Sequence, residues 1–540
     1  MQNSLITVLP PILVIFLAYL THRIVTSLLI GILVSSLIYN NFAIIDSIKN
    51  VFQVLWNTTE IGNLTSINGL LESSGIMLFI FLLILGAIIT LLTYSGSAEA
   101  FQNYINKKIK TAKGAQTASL LISNLFSIDD SFGCVSVGAI MHPITDKFKI
   151  ARTKLAFLVN SLAPTMTIIV PISSWSAVIV SNISSAKVST ILKTKPLILS
   201  DPFYLYLGVI PFIFYSFIMI TAVWFMVKYN ISFGLLKKHE NIAETTGNLF
   251  GGREYTPKKT KRSDNTESHI IDFVLPITFL ISSILIFILY TGHFYLFGGH
   301  NNLLQAIQQG KPVLALMFGG LLTFIFSSIF LIAKKSIKFT DIFHITIEGF
   351  MLLLPSILVL ILAWAFADIL NHQLLTGNYL AYLLLKYINI KLLPVLFFII
   401  TLITAVGISS AWGAMAITIP IAINILASFF SRVQPIPVAD IPIIYPLLGA
   451  ILSGAVSGNH ISPASDTIII TARSCQIPFI DLVKAQSAYS IPPLICTAFA
   501  FLISGFLVGI LPLKFVLLIS LCSGILLNFL ILKFKNSNKN

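Results

Sequence analysis

Charge is scarce in this chain. Asp, Glu, Lys and Arg together make up 10% of its 540 residues, whereas hydrophobic residues make up 56%. A soluble domain of average composition carries about 25% charged residues. So few charges leave most of the surface without a solvated face, and lipid is the solvent that tolerates this. Cysteine is scarce as well. Cys134, Cys475, Cys496 and Cys522 lie in or beside apolar stretches, and no two share a metal-ligand spacing, so they read as small core residues. No basic segment precedes the first apolar run and no small-residue cleavage site follows it, so that run reads as a retained span. A nucleotide-binding glycine loop, a zinc-ligand spacing and a nucleophile elbow are also missing. Their absence speaks against transport driven by nucleotide hydrolysis within this chain and against a membrane-embedded hydrolase or sensor.

Among the charges present, one sign dominates. The net charge is +14, but the basic residues form no patch. They stand between apolar runs, as in Lys107-Lys108-Ile109-Lys110, Lys258 to Arg262, Lys334-Lys335 and the tail Lys533 to Lys539. That is the distribution of cytoplasmic loops under the positive-inside rule, and it disfavours nucleic acid as a partner.

A spanning helix needs about 20 mostly apolar residues. Clear candidates are 5–20, 24–39, 75–94, 203–228, 271–290, 312–333, 349–369, 392–406, 445–471, 488–511 and 513–532. The stretches 114–142, 153–183 and 409–430 are apolar but interrupted by Gly, Ser, Pro or Asp. The expectation is an all-α polytopic membrane protein with 11–13 membrane segments, some broken or re-entrant. The polar stretch 229–269 divides the chain into a first transmembrane repeat, 1–228, and a second, 270–540, which ends in a cytoplasmic tail.

Internal similarity supports a duplication. Ser74 to Phe79 recurs as Glu348 to Leu353, Ser95-Gly96-Ser97 as Thr376-Gly377-Asn378, and Asp129 to Gly133 as Ser409 to Gly413, in order and at nearly constant offset. The loop around Lys334 to Lys338 is basic and reads as cytoplasmic. Its counterpart, 41–74, carries Asp46, Glu60 and Glu72 against Lys49 and reads as external. Equivalent loops on opposite sides imply inverted repeats, the usual plan of secondary transporters.

Two stretches carry the chemistry. Asp129 and Asp130 sit between apolar runs, and each Asp at the centre of a membrane helix costs about 2.5–3.5 kcal/mol on the insertion scale. Adjacent side chains on a helix point about 100° apart, so an unbroken helix cannot turn both to one protected interior. A break here lets one carboxylate cap the next half-helix while the other faces a polar cavity. The alternative is a solvated pair at the membrane boundary. The second stretch is Gly458 to Thr467. Pro463 frees backbone carbonyls, and Ser462, Ser465, Asp466 and Thr467 add side-chain oxygens, a set that suits a hard monovalent cation. His460 is a candidate proton site, although a lone His is more often a hydrogen-bonding core residue. Arg473, two turns beyond Asp466, is either its counter-ion or a clamp for an anionic substrate. Further breaks, at Asn160 to Thr165, Pro171 to Trp175 and Gly407 to Ser410, fall in matching places of the two halves. They point to one shared central site, with Ser409 and Ser410 as oxygen donors.

At these residues the sequence resembles the NhaC-type sodium/proton antiporter family. The resemblance is carried by Asp129-Asp130-Ser131-Phe132, Pro143 to Ile150, Lys154-Leu155-Ala156, Pro171 to Trp175 and Ser462 to Thr467. It implies sodium/proton exchange across the cytoplasmic (inner) membrane through paired repeats with re-entrant hairpins, with Asp129, Asp130 and Asp466 as the acidic positions holding Na⁺. This chain departs from the family where Asn160 and Asn459 replace acids and where Arg473 replaces a small or neutral residue. A less negative centre raises the claim of the relatives that exchange organic anions or amino acids. The expected partners are therefore membrane lipid, Na⁺ and H⁺, with no cofactor and no nucleic acid, and with a homo-oligomer left open. The alternative is a Na⁺- or H⁺-coupled carrier of a small carboxylate or amino acid that Arg473 would contact.

Overall fold

The computed structural model describes every residue except 1–4, 22–23, 63–68, 70–72, 98–99, 101–107, 191–195, 254–268, 270, 377–378, 380–388, 431–434, 464 and 538–540. Gly377-Asn378 of the second repeat match, the basic cluster Lys258 to Arg262, Glu72, Lys107 and the last residues of the tail thus lie outside the described residues.

The chain is almost entirely helical, as apolar sequence without water to satisfy its backbone must be. Among the described residues, nine helices are long and apolar enough to cross a membrane. In chain order the first elements are α1 (Leu9–Thr21), α2 (Ile24–Tyr39), α3 (Ile44–Thr59) and α4 (Ser74–Tyr94). Four shorter pieces follow: α5 (Ala112–Leu125), α6 (Asp130–Lys147), α7 (Arg152–Thr167) and α8 (Ser174–Ser185). Strands β1 (Val188–Ser189) and β2 (Ile198–Leu199) precede α9 (Pro202–Val209) and α10 (Phe214–Tyr229). The inter-repeat stretch contains α11 (Gly234–Thr246).

The second half supplies α12 (Ile271–Thr291), α13 (Leu303–Gln309), α14 (Pro312–Ala333) and α15 (Ile342–Asp368). It continues with α16 (Leu393–Ile408), α17 (Ala411–Phe429), β3 (Ile436–Pro437), α18 (Ile444–Ile461), α19 (Asp466–Ser474), α20 (Phe479–Leu507) and α21 (Leu513–Ser537). The three two-residue strands pair in parallel in the order β1-β2-β3, tying the end of α8 to the end of α17.

The inter-repeat stretch is docked rather than loose, and it marks one face of the molecule. Lys154, at the start of α7, has a fully buried side chain and pairs with Glu240 of α11 at 2.9 Å. Thr153 Oγ1 lies 2.9 Å from His239 Nδ1. Arg253 pairs with the buried Asp481, at the start of α20, at 3.0 Å. The hydroxyl of Tyr489 donates to the Phe233 carbonyl at 2.8 Å and accepts from the Phe233 N–H at 2.6 Å.

With this linker face as a reference, the run of each broken helix can be read from its end contacts. Lys113 Nζ, at the start of α5, donates to the Lys228 carbonyl at the end of α10. Asp146, at the end of α6, binds Arg152, whose own N–H donates to Leu249 of the linker. The pair α5–α6 therefore enters from the linker face and returns to it. The pair α16–α17 does the reverse. A Cβ on Gly505, near the far end of α20, would meet the Lys391 carbonyl just before α16, and α17 leads back to β3 on that far face. Between them, α7–α8 and α18–α19 run from one face to the other, interrupted midway, in opposite directions. α19 ends at the linker face, where the Cys475 carbonyl and the Gln476 amide oxygen accept from Arg152.

Glycine sets the closest of these packings. A Cβ on Gly454 of α18 would stand 2.6 Å from the Phe398 carbonyl, and one on Gly458 would stand 2.8 Å from that of Leu402. Only glycine lets the hairpin arm α16 lie this close along α18.

Candidate functional site

Four of these half-helices begin at the centre of the protein, and three of the beginnings are capped by a short polar side chain. Asp129 caps α6, its carboxylate accepting from the Phe132 N–H at 2.9 Å. Ser410 caps α17, accepting from the Gly413 N–H at 3.2 Å. Ser173 caps α8 through a capping box with Ser176. Ser465 stands at the cap of α19, whose first residue is Asp466. The caps align Asp129 with Ser410, one residue away from the register that the paired glycines Gly133 and Gly413 suggest. Ser409, just before the cap, takes a left-handed conformation (φ 54°), which turns the chain sharply at the tip of the α16–α17 hairpin.

The first turns of these four helices surround one cavity of about 200 Å³. Its polar lining comes from both halves of the chain: Asp129 and Asp130 from the first, Ser409, Ser410, Asn459 and Asp466 from the second. Asp129 and Asp130 are 1% and 6% exposed, whereas Asp466 presents its carboxylate to accessible space, so the cavity is open rather than sealed. Trp175 and Trp412, the second helical residues of α8 and α17, add two indoles. Leu353, Pro355 and Val359 of the long helix α15 form an apolar wall. Among the described residues, no cationic side chain lines the cavity.

Hydrogen bonds knit the caps together within each half of the chain. Ser174 Oγ donates to Asp129 Oδ2 at 2.8 Å, and the Ser174 N–H donates to the Ile128 carbonyl at 3.0 Å. Ser462 Oγ lies 3.0 Å from Ser409 Oγ and 3.2 Å from the Val406 carbonyl. Ser465 Oγ donates to Asn459 Oδ1 at 2.6 Å, and Asn459 Nδ2 donates to Thr467 Oγ1 at 3.2 Å. Asn459 is thereby fixed with its amide spent on its neighbours.

The electrostatics follow from the caps. Each helix N-terminus carries roughly half a positive charge. Four of them face three carboxylates, so one further monovalent cation comes close to neutralising the site. Asp129 and Asp466 both lie within electrostatic reach of Asp130. Among the described residues, however, no three His, Cys, Asp or Glu side chains converge on a single metal-sized point. A cation here would be held by one or two carboxylates together with hydroxyl oxygens.

Six of the residues singled out by sequence stand off the cavity: Ser462, Ser465 and Thr467, buried behind its lining in the bonds given above, and His460, Asn160 and Arg473. His460 is fully buried between repeats, with Nε2 3.1 Å from the Asn160 carbonyl and Nδ1 2.9 Å from the Tyr215 hydroxyl. A carbonyl only accepts, so Nε2 carries the proton and Nδ1 accepts from Tyr215. Asn160 is equally buried; its Oδ1 lies 3.4 Å from Thr471 Oγ1, and its Nδ2 finds no partner. Arg473 is exposed in the last turn of α19, at the opposite end of that helix from Asp466, with about 10 Å of rise between them. Conversely, Trp175, Trp412 and Ser174 belong to the site although sequence reasoning did not assign them to it. The recurrence of Trp two residues after a Ser cap, at 173–175 and 410–412, is the signal that could have found the indoles.

Broken helices that meet cap to cap around a polar cavity, inside a helical membrane protein, define a secondary transporter. The comparisons with known proteins agree. Residues 166–506, more than half of the chain, match the Na+/H+ antiporter family, and the chain belongs to that family. It is 28% identical to an uncharacterized protein of Haemophilus influenzae over 94% of this chain and 92% of that one. Over 130 residues, 24% of this chain and 25% of the other, it is 28% identical to the Malate-2H(+)/Na(+)-lactate antiporter of Bacillus subtilis. In fold it is similar to the YdaH transporter of Alcanivorax borkumensis (TM-score 0.52, 13% identity, 86% of this chain and 89% of that one).

Proposed function

We propose that the chain exchanges Na⁺ for H⁺ across the cytoplasmic membrane, with protons and Na⁺ competing for Asp129, Asp130 and Asp466. The observation that carries this reading is the cavity itself, where carboxylates and hydroxyls from both halves meet and no cationic side chain intrudes. Ser409 and Ser410 complete the oxygen set; Ser462, Ser465 and Thr467 hold the neighbouring backbone in shape. A carboxylate that has lost both its proton and its cation is too costly to move through a low-dielectric barrier. Occupancy by either ion lowers that cost, and the loaded site crosses. Antiport then follows from competition alone.

A second reading is a Na⁺- or H⁺-coupled carrier of a small organic anion or amino acid. It draws support from the Bacillus subtilis relative, which is named for malate and lactate exchange. The absence of a cationic residue from the cavity lining weighs against it.

The test is Na⁺-driven proton movement in proteoliposomes, with the native chain beside Asp129→Asn and Asp466→Asn. The expected result is exchange by the native protein and its loss in at least one variant. Normal exchange by both variants would remove these residues from the mechanism.

A further inference from the structure

The cavity is larger and less polar than a bare cation needs. One water occupies about 10–15 Å³ on a probe-sphere measure of volume, against about 200 Å³ here. A hard monovalent ion is satisfied by oxygen ligands; it gains nothing from an aliphatic wall or from indoles. Yet Leu353, Pro355 and Val359 form such a wall, with Trp175 and Trp412 beside the carboxylates. Aromatic faces and buried carboxylates together are the means by which proteins bind alkylated ammonium groups. Trp175 is fully buried with its indole N–H turned to the Asp130 carboxylate, so Trp412, which is partly exposed, offers the accessible indole.

We infer that the same cavity takes a small organic cation, an alkylated ammonium with a short apolar body, in exchange for protons. The carboxylates of Asp130 and Asp466 hold the charge, and the Trp412 indole and the α15 wall hold the alkyl groups. An organic anion would find no cationic partner at this lining. The inference rests on the carboxylate cavity being the transport site, as proposed above.

The test uses the full chain in proteoliposomes with a preset proton gradient. Na⁺, choline and tetramethylammonium are each added as the chloride, with N-methylglucamine as the inert control. Choline and tetramethylammonium have fixed charges and carry no proton across the bilayer by themselves. The expected result is proton movement with both choline and tetramethylammonium. Trp412→Leu should raise the half-saturating choline concentration at least tenfold relative to that for Na⁺, and Trp412→Tyr should restore the ratio. A response to Na⁺ with none to either organic cation would overturn this inference alone. A response to choline with none to Na⁺ would uphold it and overturn Na⁺ as the substrate. Equal losses for Na⁺ and choline in Trp412→Leu would make that indole structural, and the inference would fall.

Discussion

The four half-helices that meet at the cavity form two unlike pairs. Helices α6 and α19, packed against each other, bring all three carboxylates. Helices α8 and α17, likewise packed together, begin instead with Ser173-Ser174 and Ser410. Each pair takes one member from each half of the chain, so the backbone plan is the same on both sides while the charge is not. Capping explains why the backbone tolerates the difference. Asp and Ser cap a helix almost equally well, so one scaffold can hold an acid on one side and a hydroxyl on the other. Under the function proposed above, the acidic pair sets the charge that an ion must neutralise, and the hydroxyl pair tunes and orients it.

This contrast can be broken from either side. On the acidic side, Asp130→Asn leaves the α6 cap intact but removes a charge, and should reduce ion-driven proton movement in proteoliposomes to background. The linker lies outside the contrast and should show the largest effect on stability alone. Glu240→Gln leaves the buried ammonium of Lys154 without its partner, which costs about 3–5 kcal/mol, visible as a lowered midpoint in thermal unfolding of the purified protein. On the hydroxyl side the effects should be smaller. Ser174→Ala removes the hydrogen bond to Asp129 Oδ2 and should shift the half-saturating Na⁺ concentration by about tenfold, with Ser174→Thr restoring it. Ser410→Ala should cost about 1 kcal/mol of stability through the lost cap while leaving exchange measurable. If Ser410→Ala abolished exchange as completely as Asp130→Asn, the division of labour between the pairs would be wrong.

Much of the fold was legible because membrane sequence is unforgiving. Asp129-Asp130 and Ser462 to Asp466 interrupt apolar runs at a cost that only a break or a cavity explains, and the helices do break there. The span expected over 445–471 is two helices for that reason, and that over 203–228 divides at Pro211 between α9 and α10. Other features left no such mark. Leu353, Pro355 and Val359 lie in an apolar helix whose composition is the same whether it faces lipid or a cavity. The docking of α11 depends on single contacts, such as Lys154 with Glu240, between residues 86 positions apart, and a polar stretch rich in Lys and Gly reads as loose until its partners are known. His460, attractive as a lone titratable group in an apolar run, sits between a tyrosine hydroxyl and a backbone carbonyl, a pairing that no local spacing announces.

The central claim is that a proton and a metal cation displace each other at the carboxylates of α6 and α19. It is tested most directly by adding Na⁺ to the purified protein in weakly buffered detergent solution and following the pH. The account predicts an immediate acidification with the native protein, in proportion to its amount, and none with Asp130→Asn or Asp466→Asn. An unchanged pH with the native protein, or an undiminished acid pulse with both variants, would contradict it.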